Sequence, residues 1–386
     1  MRVLFTSVPA PSHIDPMLHL ARALDVDHEV VFATGPALVP RVEDAGIRAV
    51  PVGLDWTEPE ADTTFPELRD LPLPEMERWW VRNIFFDRAA HPMAADVGAL
   101  MDAEPFDLVV RMYIEFGGWA AATARDVPQV VFQLGQAWQD EQLPIVGELL
   151  APVLARVDPS REVDPSSVYG DLLLLMHPAS YDDWTPPGRW YRCRPPVDLP
   201  PSTAPARPEV LDGAPDRPVV LVTFGTVFNR TPGAFEVVLD ALADADVTAV
   251  VTIGKTRNPE ELGPVPEHVR VRRFVPYGQL LPHCDAVIGH GGFSTTMGAL
   301  VHGLPMVVVP LGSDQPWHGA NLRGLGVGEI VPFDDATPAR IHRALSQVLA
   351  VPSYRQRAEA YREELLALPT MADAAVAIAQ VARAPA

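Results

Sequence analysis

Short aliphatic runs alternate with amphipathic stretches from the first residues onward. Val3 to Val8 is a β-rich run, and the loop Pro9-Ala10-Pro11-Ser12-His13-Ile14-Asp15-Pro16 follows it. Met17, Leu20, Ala21 and Leu24 then repeat at helical spacing. Glu29 to Thr34, Asp107 to Val110 and Gln129 to Leu134 read as further strands, with a helical segment at Gly118 to Ala124 between the last two. Alternation of this kind predicts a parallel, doubly wound α/β sheet, whose ligands bind beyond the carboxyl ends of the strands. His13 lies in such a loop.

The pattern breaks twice in this half. Between Leu54 and Pro92 the rings of Trp56, Trp79, Trp80, Phe85 and Phe86 crowd among acidic residues and prolines. Either a helical insertion fills a core with them, or they form an apolar wall or lid for a bulky ligand. A second stretch, roughly Gln139 to Trp184, reads as irregular and could serve the same end. Cys193 to Pro218 is crowded with prolines, which make a segment extended and semi-rigid. A second alternating series follows, with strands at Val219 to Phe224, Val247 to Ile253, Arg270 to Phe274, Asp285 to Ile288 and Met306 to Val309, and a helix from Pro232 to Ala243. The chain thus predicts an N-terminal domain over residues 1–194, a proline-rich linker over 195–217 and a second doubly wound domain over 218–386. The closing helices, Ser353 to Leu368 and Ala372 to Arg383, either complete the second domain or cross back to the first.

Composition narrows the partners. At 386 residues, 48% hydrophobic and 21% charged, the chain has the profile of a folded protein with room for two cores. A net charge of −20 argues against nucleic acid or an anionic membrane surface as partner. No apolar run reaches the ~18 residues a membrane helix needs. Cys193 and Cys284 make no disulfide framework, and no apolar-cored leader opens the sequence, so the cytoplasm is the expected compartment. A phosphorylated ligand would need local donors, since the overall field repels it.

Gly289-His290-Gly291-Gly292-Phe293-Ser294-Thr295-Thr296 offers such donors. The apolar run Ala286-Val287-Ile288 turns there on glycines into a helix, and the unpaired N–H groups of a helix start suit a phosphate. The same residues also fit an ordinary strand-to-helix turn. Three more loops follow predicted strands in this half. Gly225-Thr226-Val227-Phe228-Asn229 suits a phosphate oxygen, and Phe274-Val275-Pro276 offers a ring and backbone to a flat base. Asp314 and Gln315 suit sugar hydroxyls, although they would also serve as a helix cap. Gly324-Leu325-Gly326-Val327-Gly328 looks like a dinucleotide fingerprint, but it follows a helix and reads as a connecting loop. Asp182-Asp183 reads as a solvated pair, and no His or Cys ligands accompany it.

In their order and spacing these segments resemble the family 1 glycosyltransferases of the GT-B fold. The matching pieces are Gly225-Thr226, Phe274-Val275-Pro276, His290-Gly291-Gly292 with Thr295-Thr296, Gly303-Leu304-Pro305 and Asp314-Gln315. In the first half, the strand from Arg2 to Val8 and His13 with Pro16 also match. The likeness spans nearly the whole chain and is nearest to bacterial enzymes that glycosylate antibiotics and related natural products. It implies two Rossmann-like domains facing across a cleft, the first for the acceptor and the second for a nucleotide sugar. It implies inverting transfer to an acceptor hydroxyl, with no metal and no cofactor beyond the nucleotide-sugar co-substrate. His13 then matches the general base, and an imidazole titrates near the working pH. Thr226, His290, Gly291, Gly292, Ser294 and Thr295 would hold the diphosphate, and Gly225, Phe274 and Val275 the nucleoside. Asp314 and Gln315 would hold the sugar. Trp79, Phe86 and Met112 are candidates for the wall facing a hydrophobic aglycone.

Two positions depart from the family pattern. Met112 stands where an aspartate usually orients the catalytic histidine. Either Glu115, three residues on, takes over that role, which is the reading preferred, or His13 works without a carboxylate partner. Asp15, nearer in sequence, is expected to point elsewhere. Gly298 stands where users of UDP-sugars often carry a glutamate for the ribose hydroxyls. Its lack of an acceptor favours a donor without the 2′-hydroxyl, a dTDP-deoxysugar. Two other readings stay open: a nucleotide-sugar epimerase or hydrolase on the same fold, and a non-catalytic or helper-dependent member, with a homodimer or helper protein as partner.

Overall fold

In the computed structural model the first apolar run forms β1 (Arg2–Thr6), with Val3, Leu4 and Phe5 fully buried. Each such side chain contributes about 1.5–3 kcal/mol through the surface it removes from water. The structure describes residues 1–71, 73–182, 184–200, 205–255 and 257–382. The predicted positions Asp183 and Arg383, and part of the proline-rich linker, lie outside them. The chain divides into two units by contacts. One comprises Met1–His177, Trp184–Pro196 and Leu368–Ala386; the other comprises Pro178–Asp183 and Val197–Ala367. Pro178–Asp183 goes with the second unit, which differs from a simple cut at the linker, and the C-terminal residues go with the first, one of the two arrangements expected for the closing helices.

The first unit is built on a sheet of seven parallel strands. To β1 it adds β2 (Glu29–Thr34), β3 (Arg48–Pro51), β4 (Leu108–Met112), β5 (Gln129–Gln133), β6 (Leu172–Leu175) and β7 (Trp190–Arg192), in the order β3-β2-β1-β4-β5-β6-β7. The helices Pro11–Asp25, Ala90–Ala103 and Phe116–Thr123 are among its crossovers, and Met371–Val381 packs on Pro11–Asp25. The expected irregular stretch from Gln139 to Trp184 contains the helix Leu143–Ala155 and β6. All four residues of β6 are buried, so an unbroken leucine run with no alternation marks this strand. Between Leu54 and Pro92 the helical insertion includes π-helical turns at Val81–Arg88.

A buried arginine stands in the centre of this sheet. Arg111 donates from Nε to Gln129 Oε1 at 3.1 Å and from a terminal nitrogen to the Val168 carbonyl at 2.5 Å. Burial pulls its pKa down to about 10, and the nearby Glu115 carboxylate acts in the opposite sense.

The second unit repeats the plan with six parallel strands. They are β8 (Val219–Thr223), β9 (Thr248–Thr252), β10 (Val269–Arg272), β11 (Ala286–Gly289), β12 (Met306–Val308) and β13 (Gly328–Ile330), in the order β10-β9-β8-β11-β12-β13. Its core joins Val220, Val222, Val251 and Ile288 of the sheet to Phe235, Leu242 and Ile341 of the covering helices. No single helix among the described residues is long and apolar enough to cross a membrane.

Candidate active site

Each sheet reverses its strand order once, between β1 and β4 in the first unit and between β8 and β11 in the second. At such a point neighbouring loops diverge to opposite faces and leave a crevice. Of the sequence-predicted site residues, His13 follows β1, Glu115 follows β4, Gly225 and Thr226 follow β8, and the His290 loop follows β11.

In the second unit, β11 delivers His290-Gly291-Gly292 to the helix Phe293–Val301. Gly291 has φ +92°, and a Cβ there would lie 2.9 Å from Val308 Cγ1 and 3.1 Å from the Gln315 carbonyl. A Cβ on Gly292 would lie 2.5 Å from His290 Nε2, and one on Gly225 (φ +68°) would lie 2.9 Å from the same atom. The imidazole is therefore clamped between two turns that leave no room for a side chain. Its burial pushes the pKa down to about 4, against the pull of the Thr223 backbone, so the ring is neutral at physiological pH. No side chain caps the helix at Gly292, which leaves the N–H groups of its first turn for an external acceptor. Ser294 is half-buried and Thr295 buried within that turn.

The other three loops of this unit surround the same end of the sheet. After β8, Asn229 is buried and donates its amide to the Gly225 carbonyl at 3.0 Å, fixing the turn that exposes Thr226. After β10, Phe274 is 55% exposed, and Lys255 Nζ stands 4.6 Å from its ring centroid. An exposed ring of this kind is a stacking platform for a flat base. Val275 buries its side chain. After β12, the buried Gln315 accepts at Oε1 from the backbone of Leu311 and Gly312 at 2.7 and 3.1 Å, and so closes its own loop. Asp314 makes no side-chain cap to the helix Gln315–Leu325, and its carboxylate is partly exposed.

Three residues of this unit escaped the sequence reading. The Tyr277 hydroxyl meets Thr295 Oγ1 at 3.0 Å, and its ring edge stands 3.5 Å from where a Gly298 Cβ would be. Tyr181 and His318 pair in the interior beside Asp314. No short motif marks any of them, and only the position of Tyr277 just after Val275-Pro276 offers a hint.

The first unit treats its candidates differently. His13 occupies the first turn of Pro11–Asp25, half-buried, with Tyr113 edge-on at 6.4 Å between centroids. Asp15 turns away into an ion pair with Arg41. Ser12 donates to Glu58 Oε2 at 3.3 Å, which brings a carboxylate to the residue before His13. Glu115 departs from its expected role as the histidine's partner. Its oxygens accept from Thr6 Oγ1 at 2.5 Å and from the Gly118 N–H at 2.8 and 3.0 Å, the contacts of an N-cap on Phe116–Thr123. Burial raises its pKa, and these hydrogen bonds with the field of Arg111 offset part of the rise.

Two acceptor-wall candidates are also corrected. Met112 ends β4 fully buried, and Phe86 stacks on Phe116 at 4.0 Å with Trp138 edge-on at 6.0 Å. Both serve as core, the methionine inside the sheet and the ring against its aromatic neighbours. Trp79 is half-buried beneath the Arg88 guanidinium, 5.3 Å from its ring. The cavity lined by Ser7, Trp56, Phe85, Met93, Glu115 and Phe116 measures about 20 Å³. Among the described residues, no group of three or more His, Cys, Asp or Glu side chains is arranged to hold a metal ion.

The family described as "Erythromycin biosynthesis protein CIII-like, C-terminal domain" matches residues 236–381. The L-demethylnoviosyl transferase of Streptomyces niveus is 32% identical, over 95% of this chain and 98% of its own. The TDP-daunosamine transferase of Streptomyces peucetius is 30% identical, over 96% and 94%. The chain belongs to the natural-product glycosyltransferases. Among solved structures, the glycosyltransferase VinC in complex with dTDP superposes with a TM-score of 0.79 at 29% identity, covering 99% of this glycosyltransferase and all of VinC. The GT-B fold expected from the sequence is therefore the fold of its relatives.

Proposed function

We propose that this glycosyltransferase moves a deoxysugar from a dTDP-sugar to a hydroxyl of a hydrophobic natural-product aglycone, with inversion and without a metal. The observation that carries the donor side is the His290 imidazole clamped between Gly225 and Gly292, at the open start of a helix, with the exposed Phe274 on another loop at the same end of the sheet. The diphosphate takes the loop and helix N–H groups, and the thymine stacks on Phe274. At the ribose, the face of Gly298 is covered by the Tyr277 ring and presents no carboxylate for a 2′-hydroxyl. The dTDP in the VinC complex and the TDP-daunosamine donor named for the S. peucetius relative support the same choice.

In the reaction, His13 takes the proton of the acceptor hydroxyl as that oxygen attacks the anomeric carbon. The bond from this carbon to the diphosphate oxygen breaks on the opposite face, and dTDP leaves with the electron pair. Donors already in place at Gly291, Gly292 and the helix start stabilise the charge that grows on it, which lowers the barrier without reorganisation. The test is to incubate the purified chain alone with a dTDP-deoxysugar and a panel of hydrophobic aglycones. Product of inverted anomeric configuration is expected; tighter binding of UDP than dTDP would overturn the donor assignment, and dependence on a second protein the autonomous mechanism.

A further inference from the structure

The segment Pro178–Asp183 goes with the second unit, although its neighbours in sequence belong to the first. Its Tyr181 is buried and sets its hydroxyl 2.5 Å from Nδ1 of His318, a fully buried residue in the helix Gln315–Leu325. On the far side of the imidazole, Nε2 faces Asp314 Oδ2 at 3.7 Å. Trp317 and Phe293 hem the ring at 4.7 and 6.4 Å between centroids. Phe293 is the first residue of the helix behind the diphosphate loop, so the pair sits directly behind the donor groups.

The chemistry of the pair is directional. Burying polar groups is costly unless their hydrogen bonds are answered, so a polar pair this deep in the interior needs a reason. A phenol hydroxyl that donates to Nδ1 forces the imidazole hydrogen onto Nε2, the atom aimed at Asp314. Burial holds His318 neutral, with a pKa down to about 3, so the pair conveys a tautomer and not a charge.

We infer that Tyr181 and His318 are positioning residues: the Tyr181 hydroxyl sets the His318 tautomer, and the Nε2–H of His318 orients the Asp314 carboxylate toward the hydroxyls of the donor sugar. This rests on the donor-site reading above. A gap of 3.7 Å is longer than a hydrogen bond. It closes when a sugar draws the carboxylate into place, so the pair acts on the sugar and not on the nucleotide.

Calorimetric titration with dTDP and with dTDP-glucose tests this on wild type, Tyr181→Phe, Asp314→Asn and the double variant. Tyr181→Phe should weaken dTDP-glucose about fivefold and dTDP less than twofold, and should change nothing further in the Asp314→Asn background. His318→Gln, read the same way, stands in if Tyr181→Phe does not fold. An equal loss on both ligands, or a loss that persists without the Asp314 carboxylate, would reduce the pair to packing. Unchanged Tyr181→Phe beside a weakened Asp314→Asn would overturn the relay and leave the donor site standing. Wild type that binds no dTDP would overturn the donor site, and the relay with it.

Discussion

At the exit of β8 and β11, the second unit offers backbone: glycine turns, an uncapped helix start and an imidazole held by its surroundings. At the exit of β1 and β4, the first unit offers side chains, and it has folded most of them away. Glu115 caps a helix, Met112 ends a strand in the core and Phe86 lies in a ring stack. Of that set, His13 and Trp79 keep part of their surface. On the function proposed above, rigid backbone suits a diphosphate, which is the same in every donor.

The largest effect should come at His13. His13→Ala is expected to lower turnover by about 10²–10⁴-fold while dTDP binds as before, since a general base acts only on the acceptor proton. Lost dTDP affinity in this variant would break the division of labour between the units. Phe86→Ala should then cost about 3–5 kcal/mol of stability in denaturant melts, because a stacked core ring leaves a cavity. A variant that stays as stable as wild type yet loses activity would return Phe86 to the acceptor wall.

Acid sharpens the comparison from the other side. His290 and His318 have pKa values pushed down to about 4 and about 3, both by burial. Below about pH 6.5 the unfolded chain takes up their protons first, so stability present above that pH is lost as pH falls toward the folded values. At pH 5 each contributes a loss of about 2 kcal/mol. Thermal melts at pH 7 and pH 5 should show this loss shrinking in His318→Gln, which has no proton to gain. The smallest effect is expected at Glu115→Gln, with turnover changed less than about threefold. An amide still accepts from Gly118 and donates to Thr6, so a cap survives the exchange whereas a carboxylate partner of His13 would not.

The contrast also explains what could be read from the sequence. A strand that turns on glycine into a helix is a local statement, and Gly225 and Gly291 carry it at φ +68° and +92°. The strand ends that deliver these loops were legible for the same reason. Contacts made by packing are not local. Phe86 finds Phe116 and Trp138 only once the helical insertion has folded, and Tyr181 finds His318 across 137 residues. Glu115 read as a catalytic carboxylate because its distance from Met112 was visible, while the Gly118 N–H and the Thr6 hydroxyl waiting for it were not.

The central claim is that the glycine-clamped loop at His290 seats a nucleotide diphosphate. A calorimetric titration of wild type and Gly291→Ala with dTDP tests it most directly, with a melt to establish that the variant folds. A Cβ at φ +92° is strained and meets Val308 and the Gln315 carbonyl. The account predicts that wild type binds dTDP and that Gly291→Ala weakens it about tenfold or more. A folded Gly291→Ala that binds dTDP as tightly as wild type would contradict it.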